Sequence, residues 1–179
     1  MIMKLFSVVK TNKTKYPYKI KYKDGTKVKV PSQHEFKNEY YISEHGCSLA
    51  AFYMALRFLG KSKTMLGCLK YLKEYYNMGT HQKYNLSQVC SAINDICVYM
   101  PATFYGTMTK TKMKKVLKSG AMLLFEERNP IHTSVVLWNG RKYIRFSDGG
   151  YKTVTLNWLK KKQCGDTWYK GCVVVERRK

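Results

Sequence analysis

Gly46-Cys47-Ser48-Leu49-Ala50-Ala51-Phe52-Tyr53-Met54-Ala55-Leu56-Arg57-Phe58-Leu59-Gly60 reads as one strongly apolar helix. Apolar side chains recur almost all round at the helical period, which predicts a buried helix from Cys47 to Leu59. Gly60 follows as the residue best able to take the left-handed backbone of a helix C-terminus. A helix buried on every side needs other elements packed around it, and the flanking sequence supplies them.

Toward the N-terminus the pattern is β. Leu5 to Val9 is a short strand, and Tyr18-Lys19-Ile20-Lys21-Tyr22 alternates apolar and basic. Asp24-Gly25 makes a hairpin turn into Val28-Lys29-Val30, and Pro31 ends the hairpin. Toward the C-terminus three more helices follow. Thr64 to Tyr76 carries Leu66, Leu69, Leu72 and Tyr76 at helical spacing. Asn85 and Gln88 resemble a capping box before Leu86, Val89, Ile93 and Ile96 or Cys97. Thr109 to Ser119 is a very basic helix with Met113, Val116 and Leu117 on one face, closed by Gly120. The last third reads as strands: Ala121 to Phe125, Thr133 to Trp138, Lys142 to Phe146, Lys152 to Leu156 and Cys172 to Val175. Asn139-Gly140 and Asp148-Gly149-Gly150 link them as an antiparallel meander. Helices followed by a sheet predict an α+β fold in one domain over 1–179, with residues 1–32 as an N-terminal β-hairpin extension.

Composition sets the class. The chain has 179 residues, 45% of them hydrophobic, with 7 Phe, 15 Tyr and 3 Trp, enough for a packed core. It carries 33 Lys+Arg against 11 Asp+Glu, a net charge of +22. The excess runs through all three thirds of the chain, with no detachable basic tail, and such a field attracts polyanions non-specifically. The basic helix Lys110 to Lys118, and the lysines between Tyr16, Tyr18 and Tyr22, suggest nucleic acid as a partner. A solvated helix face explains the lysines equally well, and no zinc-finger or RNA-binding signature occurs. No apolar run is long enough for a membrane span or a signal peptide, so a cytoplasmic location with reduced thiols is expected. The six cysteines form no CxxC pair, so neither a structural zinc nor any other cofactor is expected.

The reactive side chains fall at element ends. Cys47 opens the apolar helix, where the positive end of the dipole lowers a thiol pKa and backbone N–H groups can receive an oxyanion. Cys68, Cys90 and Cys97 lie on apolar helix faces and read as core thiols. His132 begins a strand after Pro130-Ile131, and Asp148 ends the next one. Antiparallel pairing brings the start of one strand beside the end of its successor, so these two are expected to be neighbours. A carboxylate beside an imidazole fixes its tautomer and supports its charged form. His45, two residues before Cys47, reads as a loop histidine.

The segment Gly46 to Gly60, His132-Thr133-Ser134-Val135-Val136-Leu137-Trp138 through Ser147-Asp148, and Trp158 with Gly171 to Glu176 together resemble the bacteriocin-processing, double-glycine leader peptidases and their stand-alone relatives. The resemblance covers about residues 33–176. It implies a papain-like cysteine peptidase fold of bacterial type, with Cys47 as nucleophile, His132 as general base and Asp148 as its partner. Three positions depart from the family: Ser48-Leu49 stand where Gly-Pro is usual, and Tyr41 stands where papain-like enzymes place an oxyanion glutamine. Gln33, Asn38 and Ser43 are the candidates for that role.

The expected function is therefore that of a thiol hydrolase, cleaving a peptide or amide bond in a peptide or protein substrate, with transfer of the acyl group to another amine as the related chemistry. The alternative is a non-catalytic member of the fold that binds peptides or a polyanion such as nucleic acid.

Overall fold

Three short segments at the start of the chain pair into one antiparallel sheet: β1 (Phe6–Lys10), β2 (Tyr18–Tyr22) and β3 (Lys27–Lys29), in that order. The computed structural model describes residues 6–10, 18–22, 27–32, 34, 46–77, 85–128, 132–147, 150–164 and 171–177. The alternation read from β2 and β3 is met in the register, where Ile20 lies opposite Val28. Both side chains are buried and, with Val30, enter the same core as the helices. The Asp24-Gly25 turn lies outside the described residues.

The central helix, α1 (Cys47–Phe58), has nine of its twelve residues buried. Gly60 ends it with φ +81, its N–H donating to the Arg57 carbonyl while the Lys61 N–H donates to that of Leu56. This is the Schellman closure that the glycine permits. The second helix, α2 (Met65–Tyr76), starts where the Thr64 hydroxyl accepts from the Gly67 N–H at 3.0 Å. Cys68, Leu69 and Leu72 face inward, whereas Leu66, expected inside, is 53% exposed. At 3.6 residues per turn the stripe of those three is centred about 110° round the helix from Leu66. The third helix, α3 (Leu86–Ile96), carries the expected capping box: Asn85 Oδ1 accepts from the Gln88 N–H, and Gln88 Oε1 from the Asn85 N–H. Leu86, Val89 and Ile93 are buried, as is Cys97 just after the helix.

β4 (Ala102–Tyr105) is an element the sequence pattern does not announce. It is docked by the Asn94 side chain, which donates to the Ala102 carbonyl and accepts from its N–H, both at 2.9 Å. The basic helix α4 (Lys110–Lys118) buries Met113 and Leu117. The strands β5 (Met122–Glu127), β6 (His132–Trp138), β7 (Tyr143–Ser147) and β8 (Gly150–Val154) form the expected antiparallel meander. The strand read over Lys152 to Leu156 ends at Val154, because the Thr155 hydroxyl caps a new helix, α5 (Leu156–Lys162), through the Trp158 N–H. The last strand, β9 (Cys172–Val175), does not extend the meander but inserts between β4 and β5. All four of its residues are buried, and a run apolar on both faces belongs inside a sheet covered on both sides.

The six-stranded order is thus β4-β9-β5-β6-β7-β8, antiparallel throughout. On one face Leu124, Val135, Leu137, Phe146 and Val173 meet α1, α2 and α3. On the other, Leu123, Phe125, Val136, Val154 and Val174 meet Met113 and Leu117 of α4 and Leu159 of α5. Among the described residues the chain is an α+β arrangement of five helices, a six-stranded antiparallel sheet and the N-terminal three-stranded one. No described helix is long and apolar enough to cross a membrane.

Candidate active site

The burial of α1 against β6 fixes where Cys47 can be. With Leu49, Phe52 and Leu56 locked in the core, the first turn of the helix is held at the first residues of the strand. A buried hydrogen bond of 3.0 Å joins Ser48 Oγ to Thr133 Oγ1 across 85 positions of sequence. One residue back on each element stand the two reactive groups, Cys47 and His132. The Thr133 N–H donates to Cys47 Sγ at 3.3 Å, and the His132 side chain also hydrogen-bonds the thiol.

Electrostatics at the sulfur follow from this placement. Burial pushes the Cys47 thiol pKa up, but the hydrogen bond and the charge of His132, followed by the Thr133 contacts, pull it further down. The net result is a thiol more acidic than an ordinary cysteine. His132 Nε2 is itself shielded from solvent, so the pair interacts with little screening by water. The other thiols run the opposite way. Burial raises Cys68 and Cys172 to about 12 and Cys90 to about 11, and it raises Cys97 as well. Only for Cys47 among these is the thiolate brought toward neutral pH.

The cleft at the pair has about 10 Å³ of room, roughly one water molecule. Val30 and Pro31 line it on one side, Ala50 and Met54 from α1 on another, and Phe146 and Ser147 from β7 on a third. The expected partner of His132, Asp148, lies outside the described residues, as do Ser43, Gln33 and His45. His34 is exposed, its N–H donating to the Ser32 hydroxyl, and does not line the cleft. Among the described residues no group of His, Cys, Asp and Glu could hold a metal ion.

Two features escape the sequence reading. The Ser48–Thr133 clamp is the first, although its signal is visible as a hydroxyl residue after each reactive residue. The second is Glu127, buried on β5 directly across from His132 in the register. Its Oε1 accepts from Ser134 Oγ at 2.7 Å and from Arg145 Nε, so an ion pair spans β5 and β7 beneath the start of β6. Two glutamates closing an apolar run, with an arginine inside another strand, were the available signal. Compared with known proteins, the chain matches no family model, no curated sequence and no solved structure.

Proposed function

We propose that the chain is a papain-like thiol hydrolase that cleaves a peptide or amide bond, with Cys47 as nucleophile and His132 as the proton carrier. The observation behind this reading is the acidified thiol: a cysteine leading a buried helix, hydrogen-bonded by an imidazole from the facing strand. The Cys47 thiolate attacks the carbonyl carbon, and the oxyanion develops toward the backbone N–H groups at the positive end of α1. Protonated His132 gives its proton to the leaving amine, and neutral His132 then takes one from the water that hydrolyses the thioester. In this reading Asp148 orients the imidazole, and the Thr133 N–H holds the sulfur in line. An amine in place of water would make the same machinery an acyltransferase.

A second reading, a non-catalytic binding protein of the same fold, draws on the narrow cleft at the pair. A fluorogenic peptide library separates the two. The hydrolase reading expects cleavage that Cys47→Ala abolishes and that His132→Ala lowers by at least about 100-fold. Cleavage surviving Cys47→Ala overturns Cys47 as the nucleophile, and binding of peptides with no cleavage of any supports the second reading.

A further inference from the structure

At the far end of β6 from His132, where Trp138 closes the strand, lies a second and larger depression. Seven residues of strand put it about 20 Å from the thiol. It has about 460 Å³ of room, the size of a small-molecule site. Four cations line it: Lys114 and Lys118 from α4, and Arg141 and Lys142 from the β6–β7 turn. Among the described residues no carboxylate lines it, so the four repel one another without internal compensation. Their positions are set by structure. The turn is held by Asn139 Oδ1, which accepts from the N–H groups of both Arg141 and Lys142. The floor is aromatic: Trp138 and Tyr143 are cross-strand partners with ring centroids 4.7 Å apart, both half-buried. Lys118 Nζ sits 5.2 Å from the Trp138 ring centre.

A ligand that satisfies this groove carries negative charge and a flat ring together. Cations alone would suit any polyanion, and an acidic peptide has no use for the ring pair. A phosphate beside a nucleobase uses both, the base stacking on the aromatics and the phosphate entering among the cations. We propose that this groove binds nucleotides, with a base against the Trp138–Tyr143 pair and its phosphate held by Lys114, Lys118, Arg141 and Lys142. The ligand is either a free nucleotide or one unit of a single strand, and the site is independent of the chemistry at Cys47.

The test is fluorescence anisotropy of the whole chain with a labelled oligothymidylate of about eight nucleotides at physiological salt, with ATP and an oligoglutamate of equal charge as competitors. The expected result is saturable binding, with oligoglutamate competing at least about tenfold more weakly than unlabelled oligonucleotide. Trp138→Leu should weaken binding about tenfold or more, and Trp138→Phe, which keeps a ring, far less. Lys118→Glu should weaken it while leaving the alkylation rate of Cys47 unchanged, which shows the fold intact. Competition by ATP identifies a free nucleotide as ligand; binding of the oligonucleotide without it identifies a strand. Oligoglutamate competing as well as the oligonucleotide, or Trp138→Leu binding like the wild type, would overturn the proposal.

Discussion

At the scale of the residue, the ionisation of Cys47 is a contest between burial, which opposes the thiolate, and His132 with Thr133, which favour it. The second group prevails, so the midpoint of Cys47 alkylation should lie below the value of about 8.5 for a free thiol. Iodoacetamide in limiting amount at pH 6, followed by peptide mapping, should find Cys47 labelled before Cys68, Cys90 and Cys172. In His132→Ala only burial and Thr133 remain; each unit of upward shift removes about tenfold of the thiolate at that pH, and labelling should fall accordingly. The stability consequence has a definite sign. A folded thiol more acidic than the unfolded one stabilises the fold fully above about pH 8.5 and loses that contribution as pH falls through the folded value. The urea midpoint of the wild type relative to Cys47→Ala should therefore rise between pH 6 and pH 9. Cys47 and His132 were legible in the sequence because each opens an element, one after Gly46 and the other after Pro130-Ile131. The Ser48–Thr133 bond was not, since it depends on which turn of α1 meets which pair of β6.

At the scale of the element, that same bond couples α1 to β6. Removing one hydroxyl leaves the other buried without this partner, so Ser48→Ala or Thr133→Val alone should cost about 1–3 kcal/mol. The double variant should cost less than the sum, and denaturant unfolding of the four proteins reads the coupling. A second prediction concerns the entry to β9. A Cβ on Gly171 would stand 2.2 Å from the Tyr105 carbonyl oxygen and 2.7 Å from that of Gly106, both backbone atoms that cannot swing aside. Gly171→Ala should destabilise by about 1–3 kcal/mol, read as a lower thermal midpoint. Most elements here were readable from periodicity and caps, including α1, α3 with its capping box, and β5 through β8. Where the reading failed, a longer-range effect decided. The Thr155 cap ended a strand that local pattern would have continued. The place of β9 was set by the need to cover Val173 and Val174 on opposite faces, and β4 is held by a side chain, Asn94, instead of by its own pattern.

At the scale of the whole molecule, the β6–β7 hairpin separates two kinds of chemistry. The thiol and imidazole sit where β6 begins, and the cations and rings where it ends. The charge of +22 was legible as a total spread along the chain, which pointed to polyanions without a place for them. Convergence of Lys114 and Lys118 with Arg141 and Lys142 appears only once α4 is laid over β6. The central claim, however, concerns the other end: that Cys47 and His132 act together as a nucleophile and its proton carrier. Intact-mass analysis of the chain mixed with an activated peptide ester at neutral pH tests it most directly. The account predicts an acyl adduct on Cys47 that decays as the free acid forms, is absent from Cys47→Ala, and builds at least about 100-fold more slowly in His132→Ala. An adduct on another cysteine, or His132→Ala acylating as fast as the wild type, would contradict it.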